Sequence, residues 1–109
     1  MQQKHDMIAA VHERQEALEV LCRKHRVKRL VLFGSALRGD FVPERSDLDF
    51  LVEFAPMNPG ERADAYFGLL FDLEELFGRP IDLVETGAIR NPYVRRTINR
   101  YQEIVYAAA

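Results

Sequence analysis

The sequence predicts a small α/β domain, and three observations carry that expectation. Two apolar runs, Val27–Phe33 and Leu48–Phe54, are too short for helices and rich in Val, Leu and Phe, and 80–85 (PIDLVE) is a third. Segments with helical spacing or helix-start signals separate them. The resulting order is helix, strand, turn, strand, helix, strand, helix. At 109 residues the chain has room for one core, so 1–109 is read as a single domain.

Each element has a local reason. Over 6–25, Met7, Ile8, Val11, Leu18, Leu21 and Cys22 recur at three- and four-residue spacing, with Glu13, Glu16 and Glu19 elsewhere. This helix closes in Arg23-Lys24-His25-Arg26, whose charge complements the carboxyl end of the helix dipole. Cys22 falls on the apolar stripe and is expected in the core rather than as a nucleophile. His5, His12 and His25 lack partners at metal-ligand spacing and are expected on the surface. The first strand stops at Gly34; 36–38 has room for one helical turn starting at Ser35, and 40–46 reads as loop. The second strand turns apolar on both faces towards its end, as a strand covered on both sides would.

Asn58-Pro59-Gly60-Glu61 is a strong helix start, with Asn as N-cap, Pro at the first helical position and Glu closing a capping box. The helix is expected to reach Phe77, to bury Ala63, Phe67, Leu70, Leu73 and Phe77, and to stop at Gly78. Asn91-Pro92 repeats the signature and opens a helix over 91–101. Residues 104–106 are expected as a short edge strand.

Charge is unevenly spread. Residues 1–33 hold seven Lys/Arg against four acids, 34–89 four against twelve, and 90–109 four against one. The formal net charge of −2 excludes the broad basic footprint of a direct nucleic-acid binder. No apolar stretch is long enough to span a membrane, and no signal-peptide pattern opens the chain. A lone cysteine fits a reducing compartment, so a cytoplasmic protein is expected.

Three features converge on phosphate chemistry. Gly34-Ser35 follows a strand directly; Gly permits a sharp turn and close approach, and a helical turn starting at Ser35 would aim free N–H groups at one spot. Arg38, one turn on, would add positive charge. Asp47 and Asp49 bracket the start of the second strand, on one face and roughly 6–7 Å apart. Two carboxylates so placed suit Mg²⁺, which takes one or two acids plus phosphate and water. Asp82 is a lone acid in the third strand and, with that strand beside the second, can face the same side. Taken singly, a Gly-Ser turn and an Asp pair also suit an ordinary turn and solvated acids. Together, three carboxylates facing a phosphate-binding turn form a site for two-metal phosphoryl or nucleotidyl transfer. The chain's only two serines, Ser35 and Ser46, both fall in this stretch.

Residues 32–40 (LFGSALRGD) and 46–54 (SDLDFLVEF) together resemble the nucleotidyltransferase superfamily of the polymerase-β type, and above all its minimal members. Residues 78–85 (GRPIDLVE) resemble the strand of their third carboxylate, and 91–96 (NPYVRR) the start of their final helix. The match covers about 28–106. The spacer 36–46 has eleven residues, one more than is usual in the family, and the extra residue is placed near Pro43-Glu44-Arg45. The resemblance implies a mixed β-sheet flanked by helices, with ATP and Mg²⁺, two ions, as ligands, and AMP transfer to a hydroxyl. Gly34 and Ser35 would hold the nucleotide phosphates, with Arg38 inferred as a further contact. Asp47 and Asp49 would hold metal, and Asp82 would be the third acid, binding metal and accepting a proton.

Proteins of this kind often serve as antitoxins that adenylylate a tyrosine of a HEPN-family ribonuclease toxin, so a HEPN toxin partner and a hetero-oligomer are implied. A core this small leaves little surface for enclosing a small substrate, which favours a protein acceptor. The segment 23–29 and Arg95, Arg96 and Arg100 are candidate docking or phosphate surfaces. The rivals are a non-catalytic antitoxin acting by contact alone and a nucleotidyltransferase acting on a small molecule.

Overall fold

The computed structural model describes residues 9–34, 47–88, 92, 96 and 102–108. Four strands, β1 (Val27–Phe33), β2 (Leu48–Phe54), β3 (Ile81–Glu85) and β4 (Gln102–Ala107), form one mixed sheet in the order β3-β2-β1-β4. β1 runs antiparallel to both β2 and β4, whereas β2 and β3 are parallel. β4 is the expected edge strand, longer than 104–106. Helices α1 (Gln15–Lys24) and α2 (Pro59–Phe77) pack against the sheet, and a 3-10 turn, Thr86–Ala88, follows β3.

The first helix is broken. Residues 9–13 are helical, but at Arg14 the N–H turns to the Val11 carbonyl, three residues back rather than four, and α1 starts afresh at Gln15. The apolar stripe survives the break: Val11, Leu18 and Cys22 are all fully buried. Burial pushes the Cys22 thiol up to about 12, so it is inert, as its place on the stripe indicates. Arg26, which turns the chain from α1 into β1, has φ 58, a left-handed conformation that costs a side-chain-bearing residue roughly 1–2 kcal/mol. Four bonds hold it there: its N–H to the Arg23 carbonyl (3.2 Å), Ala55 N–H to its carbonyl (2.9 Å), and its guanidinium to Glu61 (3.2 Å) and the Pro56 carbonyl (3.3 Å).

The start of α2 is as the sequence requires. Asn58 Oδ1 accepts from Glu61 N–H at 2.9 Å, Glu61 Oε1 accepts from Asn58 N–H at 3.3 Å, and Gly78 closes the helix at φ 63. Its buried face differs from the expectation. Ala65, Leu69 and Leu73 are buried and Leu70 and Phe77 partly so, while Ala63 is exposed and Phe67 and Phe71 are 54% and 61% exposed. The middle of the helix, 65–71 (AYFGLLF), carries no charge through two turns, so periodicity selects no face there; tertiary contacts on its two flanks do. On one flank, the ring of His25 lies where any side chain at residue 68 would stand, 2.6 Å from a Cβ built on Gly68. On the other, Tyr66 reaches β3.

His25 is therefore not a surface residue. Its side chain is only 12% exposed, and Nε2 sits 2.7 Å from Asp72 Oδ2. His12 is exposed as expected and meets Glu103 at 3.1 Å; His5 lies outside the described residues. β2 also departs from its reading. Leu48, Phe50, Val52 and Phe54 are buried, but Asp49, Leu51 and Glu53 on the other face are half-buried, so its end is not covered on both sides. The buried face joins Leu30, Leu32, Ile81, Leu83 and Val105 in one core, where Phe50 stacks on Phe77 with centroids 6.0 Å apart. Of the last expected helix, Pro92 and Arg96 are described and helical; its remaining residues lie outside.

Candidate active site

The site begins with the two faces of β2 and β3. Side chains alternate along a strand, so burying Leu48, Phe50, Ile81 and Leu83 turns Asp49 and Asp82 to the opposite face. The parallel register sets Asp49 directly beside Asp82, and the antiparallel register sets it opposite Phe33, the residue before Gly34. Asp47, two residues before Asp49, is exposed just ahead of the strand. The Leu48 N–H donates to the Pro80 carbonyl at 3.2 Å, tying together the entrances of the two acid-bearing strands. Three residues far apart in sequence, Gly34, Asp49 and Asp82, thus form one row across β1, β2 and β3.

Gly34 is needed at its place for two independent reasons. Its φ of 82 belongs to the left-handed region, and a Cβ there would collide with Asp49 Oδ2 and lie 2.8 Å from Asp49 Cγ. The backbone at the end of β1 thus lies against the carboxylate of β2, with no side chain between them. Ser35 and Arg38, the other expected phosphate contacts, lie outside the described residues, as does the whole of 35–46 with its extra spacer residue.

Among the described residues, no three acidic, imidazole or thiol groups are drawn close enough to cage a metal ion. The donors instead form an open row of hard carboxylate oxygens, two of them on exposed residues. That set fits Mg²⁺, which keeps several waters and completes its shell with substrate phosphate rather than with an all-protein cage. At Gly34 the absence of a Cβ lets the backbone approach the Asp49 carboxylate closely.

The sequence gives no sign of the residues that hold β3. Tyr66 Oη donates to the Leu83 carbonyl at 2.6 Å, and Arg62 Nε meets Glu85 Oε2 at 3.3 Å. Thr86 Oγ1 donates to the Val52 carbonyl at 3.2 Å, joining the end of β3 to β2. Burial first, then the charges of Asp82 and Glu85, raise the Tyr66 phenol above its ordinary value, so it keeps its proton as a donor.

The basic segment 23–29 is largely committed within the fold. Arg23 pairs with Glu19, Lys24 and His25 with Asp72, Arg26 with Glu61, and Lys28 with Glu53. Of the cations on the expected final helix, Arg96 is described and exposed; Arg95 and Arg100 lie outside.

Comparison with known proteins bears on the family and the fold. The family model described as a nucleotidyltransferase domain matches residues 14–105. A protein of Methanocaldococcus jannaschii, provisionally named a protein adenylyltransferase, is 36% identical over 88 residues, covering 81% of this chain and 84% of its own. The solved structure of a provisionally assigned minimal nucleotidyltransferase superposes with a TM-score of 0.67 at 34% identity, covering 84% of this chain and 89% of that one. A further neighbour comes from the complex of a tri-AMPylated Shewanella oneidensis HEPN toxin with an MNT antitoxin. It shares the fold at a TM-score of 0.60 and 17% identity, covering 90% of this chain and 73% of that one.

Proposed function

Because the chain belongs to the nucleotidyltransferase domain family, we propose that it transfers AMP from ATP to a hydroxyl of a protein, a tyrosine of a HEPN-type toxin, and so acts as that toxin's antitoxin. The observation that carries this reading is the row of Gly34, Asp49 and Asp82, with Asp47 beside it, on the face of the sheet opposite the core. The named activity of the M. jannaschii relative and the AMPylated toxin beside the MNT antitoxin support the protein acceptor.

In this reading Asp47, Asp49 and Asp82 hold Mg²⁺, two ions when fully loaded. The bound cations neutralise phosphate charge and so make the α-phosphorus open to attack. Gly34, with Ser35 and Arg38, seats the phosphates. The acceptor oxygen forms a bond to the α-phosphorus, the bond to the departing pyrophosphate breaks, and the acceptor proton passes to Asp82. The protein acts as a single catalytic domain joined to its toxin in a hetero-oligomer in the cytoplasm. Among the described residues no helix is long and apolar enough to cross a membrane.

The test is incubation with α-labelled ATP, Mg²⁺ and the product of the neighbouring open reading frame. Label is expected on a tyrosine of the partner, and Asp47→Asn or Asp49→Asn is expected to remove it. Transfer surviving both substitutions would overturn the site. Neutralisation of the partner by the doubly substituted, inactive protein would instead make it an antitoxin by contact.

A further inference from the structure

Among the described residues β3 is an outer strand: β2 lies on one side of it and no strand of the sheet on the other. Its inner side is fixed by the parallel ladder and, at its ends, by the Leu48–Pro80 and Thr86–Val52 hydrogen bonds. Elsewhere, the grip comes from α2. Arg62 and Tyr66 stand four residues apart, hence on one side of the helix; they hold Glu85 and Leu83, two residues apart on the strand. The nearer of these attachments is the residue immediately after Asp82.

We propose that Tyr66, assisted by Arg62, is a positioning residue for Asp82: its bond to the Leu83 carbonyl fixes the outer strand so that the Asp82 carboxylate stays level with that of Asp49. The inference rests on the nucleotidyl-transfer reading of the site. Tyr66 carries most of the effect, because its hydroxyl is partly shielded and makes a short bond to a main-chain acceptor. The Arg62–Glu85 pair is about half and one-third exposed, and solvent weakens it. Burial first, then the charges of Asp82 and Glu85, raise the phenol above its ordinary value, so at neutral pH it keeps the proton it donates to Leu83.

The experiment compares Mn²⁺ binding, followed by electron paramagnetic resonance in the presence of ATP, in the full chain. The variants are Tyr66→Phe, Asp82→Asn, their combination and His25→Ala. The last loosens the opposite flank of α2, which does not touch β3. Tyr66→Phe is expected to weaken Mn²⁺ binding roughly three- to tenfold, the worth of one hydrogen bond. It should have no further effect in the Asp82→Asn background, and His25→Ala should lower thermal stability while leaving Mn²⁺ affinity unchanged. Arg62→Met should shift affinity in the same direction by about twofold at most, which keeps the test open should Tyr66→Phe fold poorly. Wild-type affinity in Tyr66→Phe, beside a weakened Asp82→Asn, would overturn the positioning role alone. So would equal losses in Tyr66→Phe and His25→Ala. Wild-type affinity in Asp82→Asn would remove Asp82 from the metal site, and with it the premise of the positioning role.

Discussion

Strands β2 and β3 carry two kinds of residue one step apart in the chain. Leu48, Phe50, Ile81 and Leu83 point into the core, while Asp49 and Asp82, with Asp47 just ahead of β2, line the other face. On the first face, burial of apolar surface stabilises the fold by roughly 1.5–3 kcal/mol per large side chain. On the second, like charges stand side by side, an arrangement that works against stability and that a bound cation would relieve. The contrast teaches that stability and chemistry are segregated by strand alternation rather than by region of the chain. Substitutions one residue apart should therefore fail in different assays.

The sharpest way to break that segregation is Asp49→Asn. On the proposed reading, in which Asp49 holds metal, transfer of AMP should fall on the order of a thousand- to ten-thousandfold, while the chemical-denaturation midpoint stays nearly unchanged. A large loss of stability would show that Asp49 belongs to the scaffold. The converse is Phe50→Ala, one residue on. It removes a fully buried ring stacked on Phe77 and should cost about 3–5 kcal/mol in urea unfolding. At temperatures where the variant remains folded, its nucleotide affinity should match the wild type.

Gly34→Ala tests the one position where the two properties meet. The left-handed backbone should cost roughly 1–2 kcal/mol in stability. The new methyl group pushes on the Asp49 carboxylate, so activity should fall beyond what that loss explains. An alanine variant with full activity would mean that Asp49 can move without consequence.

The smallest effect lies away from both faces, at Asp72. Its hydrogen bond from His25, and then the Lys24 contact, hold the carboxyl below its ordinary value of 3.8. A depressed carboxyl stabilises the fold above the unfolded value, and that contribution is lost as pH falls through the lower folded value. Melting temperature should therefore drop on acidification below about pH 4, and Asp72→Asn should flatten that part of the profile. An unaltered profile would remove the His25–Asp72 bond from the account of stability.

What the sequence reveals follows the range of the interactions involved. The cap at Asn58, the stop at Gly78 and the Asp47–Asp49 pair are set by residues within a few positions of each other, and the structure has each where local chemistry requires it. The partners of His25 and Tyr66 lie 47 and 17 residues away, beyond any local pattern. With those partners hidden, a helix uncharged over the whole of 65–71 offered no means of choosing between Phe67 and Leu69 for the core. The candidate site was readable as three acids and a glycine. Their alignment was not, because strand register is a property of the assembled sheet: a slip of one residue would have turned Asp82 into the core.

The buried thiol of Cys22 has a use that follows from its isolation. It is the chain's only cysteine, lies on α1 and is fully buried in the core, and with its thiol pushed up to about 12 it stays protonated at neutral pH. An alkylating reagent meets it only when α1 lifts away. Its labelling rate is therefore a built-in clock for opening of the domain, readable in the wild-type protein with no probe introduced.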